Sequence, residues 1–172
     1  MLIFLVGPSR AGKSALIRTL AARRSVKIAD LDAFENDKRS NQKIGGWEGR
    51  WQRGLELLNA LETNDRPDVL TLVDVGAGSL QTKEGLEYFC RRAMRSILVW
   101  APFEVLRERH VGRNPDELRQ TEFSAGHQIL YGVLREAGNI VPAFGRDVSD
   151  SANELERLLD KIALEVASTL GL

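Results

Sequence analysis

Residues 7–14 read Gly-Pro-Ser-Arg-Ala-Gly-Lys-Ser, which matches the spacing G-x-x-x-x-G-K-S/T of a phosphate-binding loop. An apolar run precedes the motif and a helical pattern follows it, which is the context that phosphate binding requires. The glycines let successive backbone N–H groups turn toward phosphate oxygens, and the helix N-terminus adds a favourable dipole. The motif therefore predicts a nucleoside triphosphate site. Its residues are Gly7, Pro8, Ser9, Arg10, Ala11, Gly12, Lys13, Ser14 and Ala15.

Side chains with suitable chemistry lie in this loop and after two later apolar runs. Lys13 supplies a mobile positive charge for the β- and γ-phosphates, and the Ser14 hydroxyl can ligate Mg²⁺. Asp30 and Asp32 follow the second apolar run, and an i, i+2 pair on a strand points to one face. One carboxylate could hold the metal's water shell while the other accepts a substrate proton, or both could be solvated and cap the next helix. Asp74, which ends the third apolar run, is a rival metal carboxylate.

The composition is that of one ordinary globular domain. The chain has 172 residues, with 24 basic and 24 acidic side chains. This balance argues against binding to nucleic acid or to a membrane surface, since either would favour a basic excess. The single cysteine, Cys90, excludes an internal disulfide and a cysteine-based metal cluster. With no targeting segment and no bilayer-length apolar run, we expect a cytoplasmic protein that is a monomer or a weak homo-oligomer.

Strand-like and helix-like segments alternate along the chain. The predicted strands cover residues 2–6, 26–30, 69–75, 96–100 and 139–141. The predicted helices cover residues 13–22, 47–62, 80–94, 102–110 and 117–137, and the capping-box pair Ser151 and Glu154 opens a last one. This alternation predicts an α/β fold with a mostly parallel sheet, in which ligands bind beyond the C-terminal ends of the strands.

In this order the motifs resemble shikimate kinases and related small-molecule kinases of the P-loop NTPase superfamily. The shared features are the early phosphate-binding loop, Asp-x-Asp after the second strand, a glycine turn at residues 75–78 and late arginines. The resemblance implies one three-layer α/β/α domain over residues 1–172. Its five parallel strands would have the order 2-3-1-4-5, as in nucleoside monophosphate kinases. It also implies ATP and Mg²⁺ as cofactors, and transfer of the γ-phosphoryl group to a hydroxyl of a small-molecule acceptor.

The resemblance assigns a role to each carboxylate and to the glycine turn. Ser14 and Asp30 would serve Mg²⁺, the serine directly and the aspartate through water. Asp32 would meet the acceptor hydroxyl, while Lys13 would grip the phosphates. The backbone of Gly76, Ala77 and Gly78 would lie against the acceptor. Without the resemblance, the two glycines would indicate a tight turn with positive φ.

A later segment, over residues 107–117, resembles the lid of these kinases. Arg113 fits the arginine that closes on the phosphates, where it would stabilise charge on the transferring phosphoryl group. Arg109 fits a second arginine, which lies on the face of the adenine. The loop over residues 143–149 falls where the resembling kinases contact adenine.

The acceptor-binding part departs from the family pattern. Shikimate kinases bind the carboxylate of the acceptor with arginines from two helical segments, of which the first falls here within residues 33–62. That segment offers Arg50 and Arg53, but Gln52 occupies its best-aligned slot, and His127 replaces the arginine of the second segment. Because imidazole does not replace a bidentate guanidinium clamp, we expect an acceptor other than shikimate.

Several of these residues also have a purely structural interpretation. Trp47 and Trp51 lie on an apolar helical stripe, either as core residues or with one of them as a wall of the acceptor pocket. His127 could be a structural histidine, residues 107–117 a solvated helix end, and residues 143–149 a simple turn.

Three functions fit the sequence. The first is a small-molecule kinase with an alcohol group as acceptor. The second is a nucleoside monophosphate kinase, which would need more lid arginines and a phosphate-binding acceptor pocket. The third is a regulatory or degenerate nucleotide-binding module without efficient transfer. The absence of Asn-Lys-x-Asp argues against a guanine-specific switch protein.

Overall fold

A computed structural model describes residues 1–35, 46–66, 68–110 and 125–170. Five strands form one sheet whose paired strands are all parallel: β1 (Leu2–Val6), β2 (Lys27–Asp30), β3 (Thr71–Asp74), β4 (Ser96–Trp100) and β5 (Ile140–Pro142). Their order across the sheet is β2-β3-β1-β4-β5. The α/β class and the predicted strand order are therefore confirmed.

The helices cover both faces of this sheet. They are α1 (Lys13–Ala21), α2 (Leu31–Glu35), α3 (Gly46–Thr63), α4 (Lys83–Arg91), α5 (Phe103–Arg109), α6 (Ala125–Glu136) and α7 (Val148–Leu170). One apolar core packs α1, α5 and α7 on one face, and a second packs α3, α4 and α6 on the other. Ile3 and Leu5 of β1 enter the first core, while Leu2, Phe4 and Val6 enter the second. An unbroken apolar strand is thus needed to fill both layers.

The longest helix is α7, with 23 residues, and charged side chains interrupt its sequence. Neither this helix nor any other in the described part of the chain combines the length and the apolar character needed to cross a membrane. The apolar stripe of α7 instead packs against α1 and the sheet, with Leu155, Leu158 and Ile162 fully buried.

Two predicted element boundaries are wrong in ways that matter for the site. Strand β2 ends at Asp30, and Asp32 lies in the first turn of α2, so the two carboxylates do not share a strand face. The predicted helix over residues 80–94 begins instead as a 3-10 turn over Ala77–Gln81, after which α4 starts. The hydroxyl of Thr82 accepts a hydrogen bond from the Gly85 N–H at 3.0 Å and so caps α4.

The predicted capping box of the last helix is also wrong. Helix α7 begins three residues before Ser151, and a carboxylate oxygen of Asp147 accepts a hydrogen bond from the Asp150 N–H at 2.9 Å. The Ser151 hydroxyl is buried and donates to the Pro142 carbonyl at 3.0 Å. Glu154 pairs with Arg157 at 2.7 Å on the helix surface. The cap therefore lies one turn earlier, and Ser151 ties the helix to the end of β5.

Candidate functional site

The phosphate-binding loop curls through three residues of positive φ between β1 and α1. These are Gly7 with φ of 144°, Arg10 with φ of 61° and Gly12 with φ of 107°. Gly7 also lies against the sheet, because a Cβ atom there would sit 2.3 Å from the carbonyl oxygen of Val99. Only glycine meets both requirements at this position. Arg10 carries a side chain in a conformation that such residues rarely adopt.

Lys13 lies inside the curve of this loop. Its side chain is buried, with 8% of the residue exposed. The Nζ atom donates hydrogen bonds to the carbonyl oxygens of Gly7 at 2.9 Å and of Pro8 at 3.2 Å. The cation is thus held where the loop's own backbone surrounds it.

Three carboxylates converge on the start of α1. The Ser14 hydroxyl donates a hydrogen bond to Oδ2 of Asp74 at 3.2 Å. Burial raises the pKa of Asp74, and the charges of Asp30 and Asp32 raise it further, against opposing effects of Lys13 and Ser14. The effect on Asp74 indicates that β2 and α2 bring Asp30 and Asp32 near the carboxylate at the end of β3.

The two aspartates of the Asp-x-Asp motif have different local roles. Oδ1 of Asp30 accepts a hydrogen bond from the Ala33 N–H at 2.8 Å, so Asp30 caps α2 as one of the sequence interpretations anticipated. Asp32 instead lies against the turn that follows β3. A Cβ atom on Gly76 would lie 2.5 Å from Oδ1 of Asp32.

The prediction of positive φ at the glycine turn is wrong, and the glycines have another purpose. Gly76 has φ of −66°, and neither it nor Gly78 is among the residues with positive φ. A Cβ atom on Gly78 would lie 2.8 Å from the Cζ3 atom of Trp47, as one on Gly76 would meet Asp32. The turn is glycine-rich because two side chains from other segments occupy the space that its own side chains would fill.

These groups line one cavity with a volume of about 590 Å³. The predicted residues that it brings together are Ser9, Arg10, Gly12, Lys13, Ser14, Ala15, Asp30, Asp32, Arg50, Gly76, Ala77 and Gly78. It also brings in Arg18, Trp47 and Asp74. The phosphate-binding loop therefore shares one cavity with Asp32, Arg50 and the turn over residues 76–78.

The two tryptophans of α3 divide between core and cavity. Trp51 is 3% exposed and packs edge to face on Tyr88, with ring centroids 5.5 Å apart. Trp47 is 37% exposed and lines the cavity, and the Arg50 guanidinium lies 5.0 Å from the centroid of its ring. The core interpretation thus holds for Trp51, whereas Trp47 lines the cavity. The half-buried Arg53, on the same helix, is not among the residues that line this cavity.

His127 is buried on α6 rather than in the cavity lining. It is 7% exposed, and burial lowers its pKa to about 4, with a further contribution from the nearby charge of Lys13. The imidazole is therefore neutral at pH 7. A neutral ring carries no charge with which to pair an acceptor carboxylate.

A second cavity of about 310 Å³ lies on the other side of the phosphate-binding loop. It is lined by the loop, by the segment after β5 and by Arg109. The Arg109 guanidinium donates hydrogen bonds to the carbonyl oxygens of Arg10 at 3.1 Å and of Ala143 at 2.9 Å. Arg109 thus bridges the phosphate-binding loop and the segment after β5, which is the segment predicted to contact adenine. Arg113, the other predicted lid arginine, lies outside the described residues.

The sequence assigns no role to Arg18 and no distinct role to Trp47, and it offers Asp74 only as an alternative to Asp30 for the metal. Arg18 follows Ser14 by four residues, so helical spacing alone would have indicated that both share a face of α1. Trp47 had no sequence signal that separated it from Trp51. The sequence makes Asp74 a rival metal carboxylate, but its hydrogen bond with Ser14 depends on the register between β1 and β3.

The sheet order and the loop after the first strand define a P-loop fold of the shikimate kinase type. Solved structures with this fold include the shikimate kinase of Aquifex aeolicus vf5, with a TM-score of 0.65 and 23% identity, covering 95% of this chain and 99% of that one. The shikimate kinase of Acinetobacter baumannii, in complex with shikimate, has a TM-score of 0.54 and 21% identity, covering 93% of each chain.

A third match has a different ligand. The YorR protein of Bacillus subtilis, in complex with phosphorylated GDP, has a TM-score of 0.56 and 17% identity, covering 93% of this chain and 96% of that one. No protein-family model matches this sequence, and no curated protein does. The likeness in structure confirms the predicted fold over nearly the whole chain.

Proposed function

We propose that this protein is an ATP-dependent kinase that transfers the γ-phosphoryl group to a hydroxyl of a small metabolite. The observation that carries the proposal is that Lys13 and Asp32 line one cavity, although they belong to separate segments. One is suited to bind transferring phosphate, and the other to accept the proton of an attacking hydroxyl. Phosphoryl transfer needs both, because its catalysis rests on positioning and charge neutralisation.

The nucleotide would bind across the phosphate-binding loop. Its phosphates would meet the inward N–H groups of the loop and the Lys13 ammonium. Its base would enter the second cavity, whose volume is about 310 Å³, between the loop and the segment after β5. Arg113 is expected to add positive charge at the transferring phosphoryl group.

The oxygen groups at the start of α1 fit a magnesium ion. The Ser14 hydroxyl and the Asp74 carboxylate lie 3.2 Å apart, and Asp74 is partly buried beside other carboxylates that raise its pKa. Such a set of hard oxygen donors suits Mg²⁺, which would relieve the repulsion. Ser14 and Asp74 would hold the ion, and Asp30, engaged in capping α2, would act through water. An ion held there would supply positive charge against the phosphates.

Asp32 is the proposed general base. Its carboxylate lies against Gly76, which has no side chain to push it away from the cavity. The acceptor would extend from this carboxylate toward Trp47 and Arg50, which complete the same cavity. A carboxylate within hydrogen-bond reach of the acceptor hydroxyl orients it and accepts its proton during transfer.

The acceptor is proposed to differ from shikimate. The resembling kinases use two arginines for the acceptor carboxylate, whereas here the second position holds His127, which is neutral and buried. Arg53 belongs to the predicted acceptor segment but is not one of the cavity residues, which leaves Arg50 as the arginine of α3 in the cavity. Among the described residues, the family's pair of arginines, one from each helical segment, is therefore not present in the cavity.

A nucleoside monophosphate kinase is the second candidate. It is supported by the likeness to the YorR protein, whose structure holds phosphorylated GDP. An exposed indole, such as that of Trp47, can also pack on a nucleobase.

A coupled assay of ADP release separates these functions. Mg·ATP would be supplied with a panel containing shikimate, gluconate, other hydroxylated metabolites, AMP and GMP, and products would be identified by mass spectrometry. We expect a hydroxylated metabolite to raise ADP release well above the rate without acceptor, with a phosphorylated product. Stimulation by a nucleoside monophosphate alone would favour the second candidate. Tight ATP binding without stimulation by any compound would favour a nucleotide-binding module.

A further inference from the structure

The carbonyl groups of the phosphate-binding loop are all engaged from Gly7 to Ala11. Lys13 bonds those of Gly7 and Pro8 from inside the curve, and the Ala11 N–H adds a bond to Pro8 at 3.3 Å. The other three are met from outside, by residues about a hundred positions later in the chain. Each of these backbone carbonyls therefore has a partner that favours the observed conformation of the loop.

The outside contacts come from the end of α5. The Arg109 guanidinium donates to the carbonyl of Arg10 at 3.1 Å and lies 3.4 Å from that of Ala11. Nε2 of the buried His110 lies 3.4 Å from the carbonyl oxygen of Ser9. Since a carbonyl oxygen only accepts, this contact requires the tautomer with a proton on Nε2.

These contacts act on the face of the loop that binds phosphate. In a planar trans peptide the C=O and the following N–H point in opposite directions. Because the Ser9 carbonyl is held outward, the Arg10 N–H points inward. In the same way, the Ala11 carbonyl directs the Gly12 N–H inward. The contacts also hold Arg10 in its left-handed conformation, with φ of 61°.

We propose that Arg109 and His110 are positioning residues that hold the phosphate-binding loop in its binding-competent shape. The proposal rests on the nucleotide site of the proposed function. It gives Arg109 a task that differs from the predicted contact with adenine. Arg109 also donates to the Ala143 carbonyl at 2.9 Å, so it braces the loop against the segment after β5.

Inorganic tripolyphosphate distinguishes the two tasks of Arg109, because it has phosphates and no base. Binding of tripolyphosphate, ATP and adenosine would be measured by calorimetry for the wild type, Arg109→Lys and Arg91→Lys. Lysine keeps the charge but is a point donor that cannot bridge several carbonyls. Arg91 is an exposed arginine on α4, where it pairs with Glu87, and is the control.

We expect Arg109→Lys to weaken tripolyphosphate and ATP alike, by about tenfold, with adenosine unchanged. The Arg91→Lys control should bind all three ligands as the wild type does. Loss of ATP and adenosine affinity with tripolyphosphate unchanged would overturn the proposal and support the adenine contact. Unchanged affinity for all three ligands would also overturn it.

A second pair of variants tests His110 and guards against misfolding. His110→Gln keeps an N–H donor near the Ser9 carbonyl, and His110→Leu removes it at similar size. With equal thermal midpoints, tripolyphosphate should bind about threefold more weakly to His110→Leu than to His110→Gln. Equal affinities would overturn the role of His110. If the wild type binds neither ATP nor tripolyphosphate, the proposed function is overturned as well. If binding depends on Lys13 but is unchanged by the substitutions of Arg109 and His110, only this inference is overturned.

Discussion

The proposed nucleotide half and the proposed acceptor half of the site are built in different ways. The proposed nucleotide half is a run of consecutive residues, 7–14, whose backbone groups would bind the phosphates. The acceptor half joins Asp32 at the start of α2, Trp47 and Arg50 on α3, and the turn at residues 76–78. Its side chains pack into space that glycines leave free. A contiguous backbone site can be recognised by its spacing, whereas a site of packed side chains exists only once the fold has formed.

Lys13→Ala tests the nucleotide half and should have the largest effect. The variant removes the charge for the phosphates and the bonds to the Gly7 and Pro8 carbonyls. We expect ATP-dependent turnover to be lost, by about a hundredfold or more, with the circular dichroism spectrum unchanged. Lys83→Ala, which changes an exposed lysine on α4, is the control. Unchanged turnover in Lys13→Ala would contradict the assignment of the phosphate-binding loop.

Asp74 lies between the two proposed halves, and Asp74→Asn should raise the stability of the fold while it lowers the rate of transfer. Burial and neighbouring carboxylates raise the pKa of Asp74, so its charge destabilises the ligand-free fold at pH 7. We expect a higher thermal midpoint but a loss of transfer of about a hundredfold, because a proposed metal carboxylate is removed.

The control for this prediction is Asp160→Asn, an exposed aspartate paired with Arg24 on the surface. Its midpoint should change little, since surface ion pairs contribute little. A lower midpoint for Asp74→Asn, or full activity, would contradict the role given to Asp74.

Gly76→Ala and Gly78→Ala sharpen the description of the acceptor half. A methyl group on Gly76 would displace Asp32, and one on Gly78 would displace Trp47. We expect the first to lower kcat about tenfold and the second mainly to raise KM for the acceptor, both with ATP affinity retained. Steady-state kinetics of both variants with the identified acceptor provide the measurement. The prediction fails if both variants lose ATP affinity instead.

His127 gives the smallest expected effect on turnover and a distinct effect on stability. Its pKa is about 4 in the fold, against 6.5 for a solvated histidine, so the unfolded chain binds more protons between these values. The fold should therefore gain stability as pH rises from about 4 to 6.5, by up to about 3 kcal/mol. Urea unfolding at several pH values should show this slope in the wild type and not in His127→Gln. Equal slopes would contradict a neutral, buried His127.

The predictable part of the molecule is the part set by local sequence. An apolar β1 followed by a glycine-rich loop predicts the fold, which is confirmed, and the proposed nucleotide half. The roles of Gly76 and Gly78 could not be predicted, because they depend on contacts with Asp32 and Trp47 rather than on backbone conformation.

The roles of residues that depend on tertiary contacts likewise could not be predicted from the sequence. Trp47 and Trp51 have the same type and lie four residues apart, yet one lines the cavity and the other packs in the core. Ser14 pairs with Asp74 only because β1 and β3 are neighbours. The charge state of His127 depends on burial, which no spacing reveals.

The most direct test of a kinase site with two distinct halves is Asp32→Asn, measured for ATP affinity and for transfer to the acceptor found in the panel. Because asparagine keeps the shape beside Gly76 and cannot accept the proton, we expect kcat to fall about a hundredfold. The Kd for ATP should stay within about twofold of the wild-type value. Collapse of ATP binding would contradict the division and make Asp32 a metal ligand, and unchanged transfer would remove it from the reaction.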